Sequence, residues 1–206
     1  MPKDLVVLVA DKDIDYGLRG LLSRPRALGI RPITFDTYIH HRRDPACAVD
    51  SHNFLRPFLH SFRHAVVVFD RIGSGREVLS ADNLSGEVRL ALETNGWNGR
   101  AEVIVLDPEL EIWVFSPSPH VEACLGWPRR LGGLRRWLEG QGLWAREDTK
   151  PNNSREALER ALRKIGRPRS ASLYQCLGRR VGLRACSDPA LQKLRITLAE
   201  WFPPDR

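Results

Sequence analysis

Three short apolar runs in the first half of the chain each stop on an aspartate. Leu5–Ala10 leads into Asp11, Ala65–Phe69 into Asp70, and Val103–Leu106 into Asp107, with Glu109 and Glu111 just beyond. The runs are continuous rather than alternating, as strands covered on both faces of a parallel sheet are. Helix-length segments separate them, which predicts crossover connections and an α/β fold. Ligands bind such sheets in the crevice outside the carboxyl ends of the strands. Acids delivered there together repel one another unless a cation neutralises them, and a cluster of hard oxygens suits Mg²⁺ or Mn²⁺.

The same patterning gives the remaining elements. Ile33–Ile39 reads as a second strand after Pro32. Helices are predicted over Asp15–Leu28, with Pro25 breaking the pattern, near Ser51–Arg63, with Pro57 inside it, and over Ser85–Thr94. Glu111–Phe115 is a short apolar continuation, strand or helix. The character changes after Ser116-Pro117-Ser118-Pro119. Four further helices are expected there: Leu131–Leu138, Ser154–Ile165, Ala171–Val181 and Pro189–Trp201. The reading is therefore an α/β domain over 1–117, mostly parallel and Rossmannoid, followed by a helical region over 118–206.

Charge divides along the same line. Residues 1–117 hold 14 Lys/Arg and 16 Asp/Glu, and residues 118–206 hold 18 and 9. Fifteen of those 18 are arginine, whose planar fork suits phosphate, so the second region is the candidate nucleic-acid face. An arginine-rich surface without a ligand fits the same count. No apolar run approaches the roughly 20 residues needed to span a membrane. Met1-Pro2-Lys3-Asp4 enters a strand with no hydrophobic leader, so a cytoplasmic protein is expected. Cys47, Cys124, Cys176 and Cys186 form no C-x-x-C pair, which argues against structural zinc and predicts packed free thiols.

Candidate residues follow from the strand ends. Asp11-Lys12-Asp13-Ile14-Asp15 is not a calcium loop, since Tyr16 and Leu22 stand where Gly and Glu are required. Asp11 and Asp13 remain candidate ligands, although acids there also cap a helix. Asp70 opens Arg71-Ile72-Gly73-Ser74-Gly75-Arg76, where glycines can turn backbone N–H groups toward an anion and Arg71 and Arg76 can contact phosphate. The loop is neither a Walker A loop nor a nucleophile elbow. Glu109 is the candidate ligand or general base. Glu111 is either in support or buried against Trp113 or an arginine.

These strand-end acids make the chain resemble the Toprim fold of topoisomerases, primases and overcoming-lysogenization-defect nucleases. There, a Glu after the first strand and an Asp-x-Asp after a later one hold Mg²⁺. Here Asp11 replaces the Glu, and Asp70-Arg71-Ile72 lacks the second Asp, leaving Glu109 or Glu111 to supply the charge. Val68-Phe69-Asp70-Arg71, Asp107-Pro108-Glu109-Leu110-Glu111-Ile112-Trp113, Lys150-Pro151, Gly166-Arg167-Pro168-Arg169-Ser170 with Leu173-Tyr174, and Asp188-Pro189-Ala190 running to Trp201-Phe202 resemble small bacterial Toprim-like proteins of anti-phage defence clusters, methylation-associated systems among them.

The resemblance implies a defence role. The expected function is a metal-dependent nuclease or phosphodiester-acting subunit. Asp11, Asp70 and Glu109 would hold the ion with Asp13 and Glu111 in support, and Arg71, Gly73, Ser74, Arg76, Arg167 and Arg169 would contact phosphate. The expected partners are nucleic acid, other defence-system proteins and, in an oligomer, further copies of the chain. The alternatives are a non-catalytic nucleic-acid- or partner-binding subunit and a small-molecule phosphotransferase.

Overall fold

The computed structural model describes residues 1–183 and 186–204. Four strands form one all-parallel sheet: β1 (Lys3–Val9), β2 (Phe35–Ile39), β3 (Phe62–Asp70) and β4 (Ala101–Leu106), in the order β2-β1-β3-β4. The two central strands, β1 and β3, are the most apolar runs of the sequence, and Val6, Leu8, Val67 and Val68 are fully buried. Helix α1 (Lys12–Leu22) and the short α2 (Pro25–Leu28) connect β1 to β2, α3 (Arg43–Leu55) connects β2 to β3, and α4 (Ala81–Leu92) connects β3 to β4. Strand order reverses at β1, so the chain winds left to β2 and then right to β3 and β4. With right-handed crossovers this sets α1 and the α3/α4 pair on opposite faces. It also opens the sheet's switch point between the ends of β1 and β3. The fold is Rossmann-like.

The remaining helices are α5 (His120–Leu125), α6 (Leu134–Gly140), α7 (Ser154–Lys164), α8 (Ala171–Arg180) and α9 (Pro189–Trp201). They share the core of the sheet rather than standing apart from it. Helix α9 lies along β4, where Lys193 Nζ donates to the Val103 carbonyl at 3.0 Å and to Ser85 Oγ of α4 at 2.6 Å. Asp188 caps α9 by accepting from Leu191 N and also accepts from Trp113 Nε1. The tightest helix pair is α1 with α8. A Cβ on Gly20 would stand 2.6 Å from the Gln175 carbonyl oxygen, and one on Gly178 would clash with the Gly17 carbonyl. Only glycine permits these backbones to cross so closely.

Several sequence expectations are corrected. The second crossover helix ends at Leu55 instead of spanning Ser51–Arg63, because Pro57 diverts the chain into the single turn Arg56–Phe58. Its start lies at Arg43, eight residues before the expected Ser51. Helix α1 begins at Lys12 and stops before Pro25, which opens α2 separately. The segment after β4 is a 3₁₀ turn, Leu110–Trp113. Cys124 and Cys176, read as free thiols, form a disulfide joining α5 to α8. Packing brings their Cα atoms to 5.7 Å across 52 residues of sequence, a proximity that no spacing rule signals. Cys47 and Cys186 are free and buried.

Candidate metal centre

Asp70 is the last residue of β3 and is 8% exposed. Its Oδ1 accepts from Leu110 N at 2.9 Å, which ties the turn after β4 to the end of the neighbouring strand. Lys150 Nζ steadies that turn by donating to the Ile112 carbonyl at 2.8 Å. Glu109, in extended backbone just before the turn, and Glu111, inside it, are thereby directed toward Asp70. One carboxylate oxygen from each of Asp70, Glu109 and Glu111 lies within 4.8 Å of the others, and all three residues are buried.

Each acid has one oxygen anchored. Asp70 uses Oδ1 on Leu110 N. Glu109 Oε2 pairs with Arg155 Nε at 3.2 Å. Glu111 Oε1 accepts from the Tyr174 hydroxyl at 2.9 Å and pairs with Arg169 Nη1. Glu111 Oε2 is buried with no hydrogen-bond partner among the described residues. Glu111 is 0% exposed, so this oxygen is a desolvated acceptor without a donor, a costly state for a carboxylate. Anchoring one oxygen of each acid and leaving the other open is how outer hydrogen bonds orient metal ligands.

The electrostatics agree. Burial, and then the charges of Asp44, Glu111, Asp11 and Glu109, push the Asp70 carboxyl well above the usual aspartate range. Burial and Glu111 raise Glu109, and burial raises Asp44. Burial and Glu111 also push Tyr174 up, so its hydroxyl keeps the proton it donates. The site thus holds more negative charge than its two arginines balance. A buried cluster of this kind can hold a divalent cation.

The other residues expected from sequence are distributed differently. Asp11 lies outside the triad: its Oδ1 caps α1 by accepting from Ile14 N at 2.9 Å, and its charge adds to the repulsion on Asp70. Asp13 is held by Arg169 Nε and Nη2, each at 2.8 Å. Asp107 turns away to Arg71 Nε at 2.8 Å. The loop after Asp70 does form an anion cradle, with Gly73 at φ 91° and Gly75 at φ 74°. The chain's own Glu77 fills it, Oε1 accepting from Gly73 N at 2.8 Å and Gly75 N at 3.2 Å. Ser74 Oγ donates to the Arg71 carbonyl and accepts from Arg76 N, and Arg76 pairs with Glu87. Arg167 donates to the Leu125 carbonyl at 2.7 Å, closing the end of α5.

Sequence reasoning missed Asp44, Arg155 and Tyr174. Asp44 Oδ1 accepts from Asp70 N at 2.9 Å, and this residue lies in the first turn of α3, ahead of the expected helix start. Tyr174 and Arg155 reach the triad only through the packing of α8 and α7, which local pattern does not encode. Neither a family model, nor a curated protein, nor a solved structure matches this chain.

Proposed function

We propose that this protein is a divalent-metal-dependent phosphodiester-acting enzyme, a nuclease in the setting its sequence resemblance implies, bacterial anti-phage defence. The observation that carries the reading is the triad of buried carboxylates at the carboxyl ends of β3 and β4, with Glu111 Oε2 buried and unpartnered. Asp70, Glu109 and Glu111 are the ligands, and Mg²⁺ or Mn²⁺ fits an all-oxygen set. Asp11 and Asp44 add charge from the rim. When bound, such an ion stabilises charge on a phosphoryl oxygen and lowers the pKa of a water.

The chain's own groups supply the rest. Tyr174 fixes the Glu111 carboxylate, and Asp70 fixes the turn that carries both glutamates. Arg155 stands against Glu109 Oε2, which leaves Oε1 as the oxygen Glu109 would offer to the ion. The partners in this reading are nucleic acid and other defence proteins. One observation favours the second reading, a non-catalytic binding subunit: Arg155 and Arg169 already pair with Glu109 and Glu111. Three guanidiniums, Arg155, Arg169 and Arg43 beside Asp44, face the six carboxylates of Asp11, Asp13, Asp44, Asp70, Glu109 and Glu111 and do not neutralise them, which is why the metal reading is preferred.

The test is incubation of purified protein with labelled single- and double-stranded DNA and RNA in EDTA, Mg²⁺ and Mn²⁺, beside Glu109→Gln. Metal-dependent cleavage lost in the variant supports the enzyme. Nucleic-acid binding without cleavage in any metal moves the assignment to the binding subunit.

A further inference from the structure

The sequence placed phosphate contacts on Arg71, Arg76, Arg167 and Arg169, and the structure has employed all four. Arg71 holds Asp107 and the Glu77 carbonyl, Arg76 holds Glu87, and Arg167 closes α5. Arg169 spends Nε and Nη2 on Asp13 and Nη1 on Glu111, and lies 5.4 Å over the Tyr174 ring. It is a saturated internal counterion.

Arg155 is different. Its Nε lies 3.2 Å from Glu109 Oε2, an oxygen of the acid triad. The side chain is 47% exposed. The guanidinium therefore stands against a candidate metal ligand while about half of the side chain stays open to solvent. The Nη1/Nη2 edge of a guanidinium is the one that binds two phosphate oxygens side by side. Arg155 stands in the first turn of α7, where the helix field adds to its charge. An anion approaching this acidic site meets repulsion from every carboxylate in it, and Arg155 is the half-exposed cation set directly against a triad acid.

We propose that Arg155 is the phosphate-anchoring residue of the site and that the ligand it takes is the phosphodiester backbone of a nucleic acid. The proposal rests on the metal-centre reading for its substrate class. The acid triad faces one side of the bound phosphate and Arg155 grips the other, so the two contribute opposite charges to one pocket. Removing Arg155 therefore has opposite effects on two ligands. Phosphate binding weakens, while a cation at the triad loses a repulsive neighbour.

The experiment compares wild type, Arg155→Ala and Arg155→Lys by two readouts. A fluorescein-labelled oligothymidylate is titrated by anisotropy, in EDTA and in Ca²⁺ over a salt series, and Mn²⁺ alone is titrated by calorimetry. Arg155→Ala is expected to weaken oligonucleotide binding about tenfold and to reduce the salt slope by about 0.7, the share of one phosphate contact on a single strand. Its Mn²⁺ affinity is expected to be unchanged or tighter. Arg155→Lys, which keeps the charge and loses the fork, falls between. Unchanged oligonucleotide affinity in Arg155→Ala, no oligonucleotide binding by wild type, or parallel loss of both ligands overturns the proposal. Oligonucleotide binding by wild type that Arg155→Ala weakens, without Mn²⁺ binding by either, upholds Arg155 and overturns the metal reading alone.

Discussion

Replacing Gly20 by alanine tests whether the crossing of α1 and α8 is what builds the site. The added Cβ would sit 2.6 Å from the Gln175 carbonyl oxygen and 3.2 Å from Arg179 N, both backbone atoms of α8. Neither can turn aside as a side chain would, so the helices must separate by most of an ångström. Overpacking of this kind costs about 1–3 kcal/mol, and alanine's better helix propensity offsets roughly 1 kcal/mol of it. For a chain of this size each kcal/mol moves the melting temperature by about 2–4 °C. The net cost is about 0–2 kcal/mol, so Gly20→Ala should melt below wild type by up to about 8 °C in a calorimetric or circular-dichroism scan. Gly86→Ala is the control. It lies within α4 with nothing near its added Cβ, and should raise stability by about 0.5–1 kcal/mol. Because α8 carries Tyr174, Gly20→Ala should also weaken Mn²⁺ binding, while Gly86→Ala leaves it alone. Melting of Gly20→Ala at or above wild type would refute the close-crossing argument.

Further expectations concern the groups around this frame. Tyr174→Phe removes a donor from the buried Glu111 carboxylate, which should cost about 1–3 kcal/mol. It should also lower Mn²⁺ affinity about 10–100-fold in calorimetry; full affinity would show that Glu111 needs no orientation. The Cys124–Cys176 bond closes 52 residues, for which the chain-entropy relation gives about 4 kcal/mol. Reductant should lower the melting temperature of wild type and leave Cys176→Ser, already lower, unmoved; equal melting of all forms would remove the disulfide from the account. The guanidinium of Arg31, with Thr34, holds the Asp4 carboxyl below its usual 3.8. A depressed carboxyl contributes stability above its unfolded value and loses it as pH falls through the folded one. Asp4→Asn should thus be less stable than wild type at neutral pH, with the gap closing below about pH 4. A gap that stays constant to low pH would contradict that linkage.

The sheet was largely legible because each strand declares itself locally. Continuous apolar runs marked β1, β3 and β4, and the last, read from Val103–Leu106, extends back to Ala101. The acid cluster was legible in part for the same reason, since Asp70 follows from a strand end. Glu109 and Glu111 belong to it although the strand alternation that would pair them gives way to a 3₁₀ turn. Asp107, equally prominent in sequence, is drawn off by Arg71, because which acid turns inward depends on where the nearest free guanidinium stands. Tyr174 lies 63 positions from Glu111 and reads as an ordinary apolar-face residue of α8 until α8 is docked on α1. The anion-cradle reading of Gly73–Gly75 found the right backbone geometry, but not the carboxylate of Glu77 that occupies it. The helix after β2 was displaced because its aromatic stripe, Phe54, Phe58 and Phe62, runs across a proline turn into the next strand.

The central claim is that Asp70, Glu109 and Glu111 hold a divalent cation, and calorimetric titration of wild type and Asp70→Asn with Mn²⁺ tests it most directly. The account predicts saturable binding near one ion per chain, with a rise in melting temperature in wild type, and neither in Asp70→Asn. No binding by wild type, or the same binding by both, would contradict it.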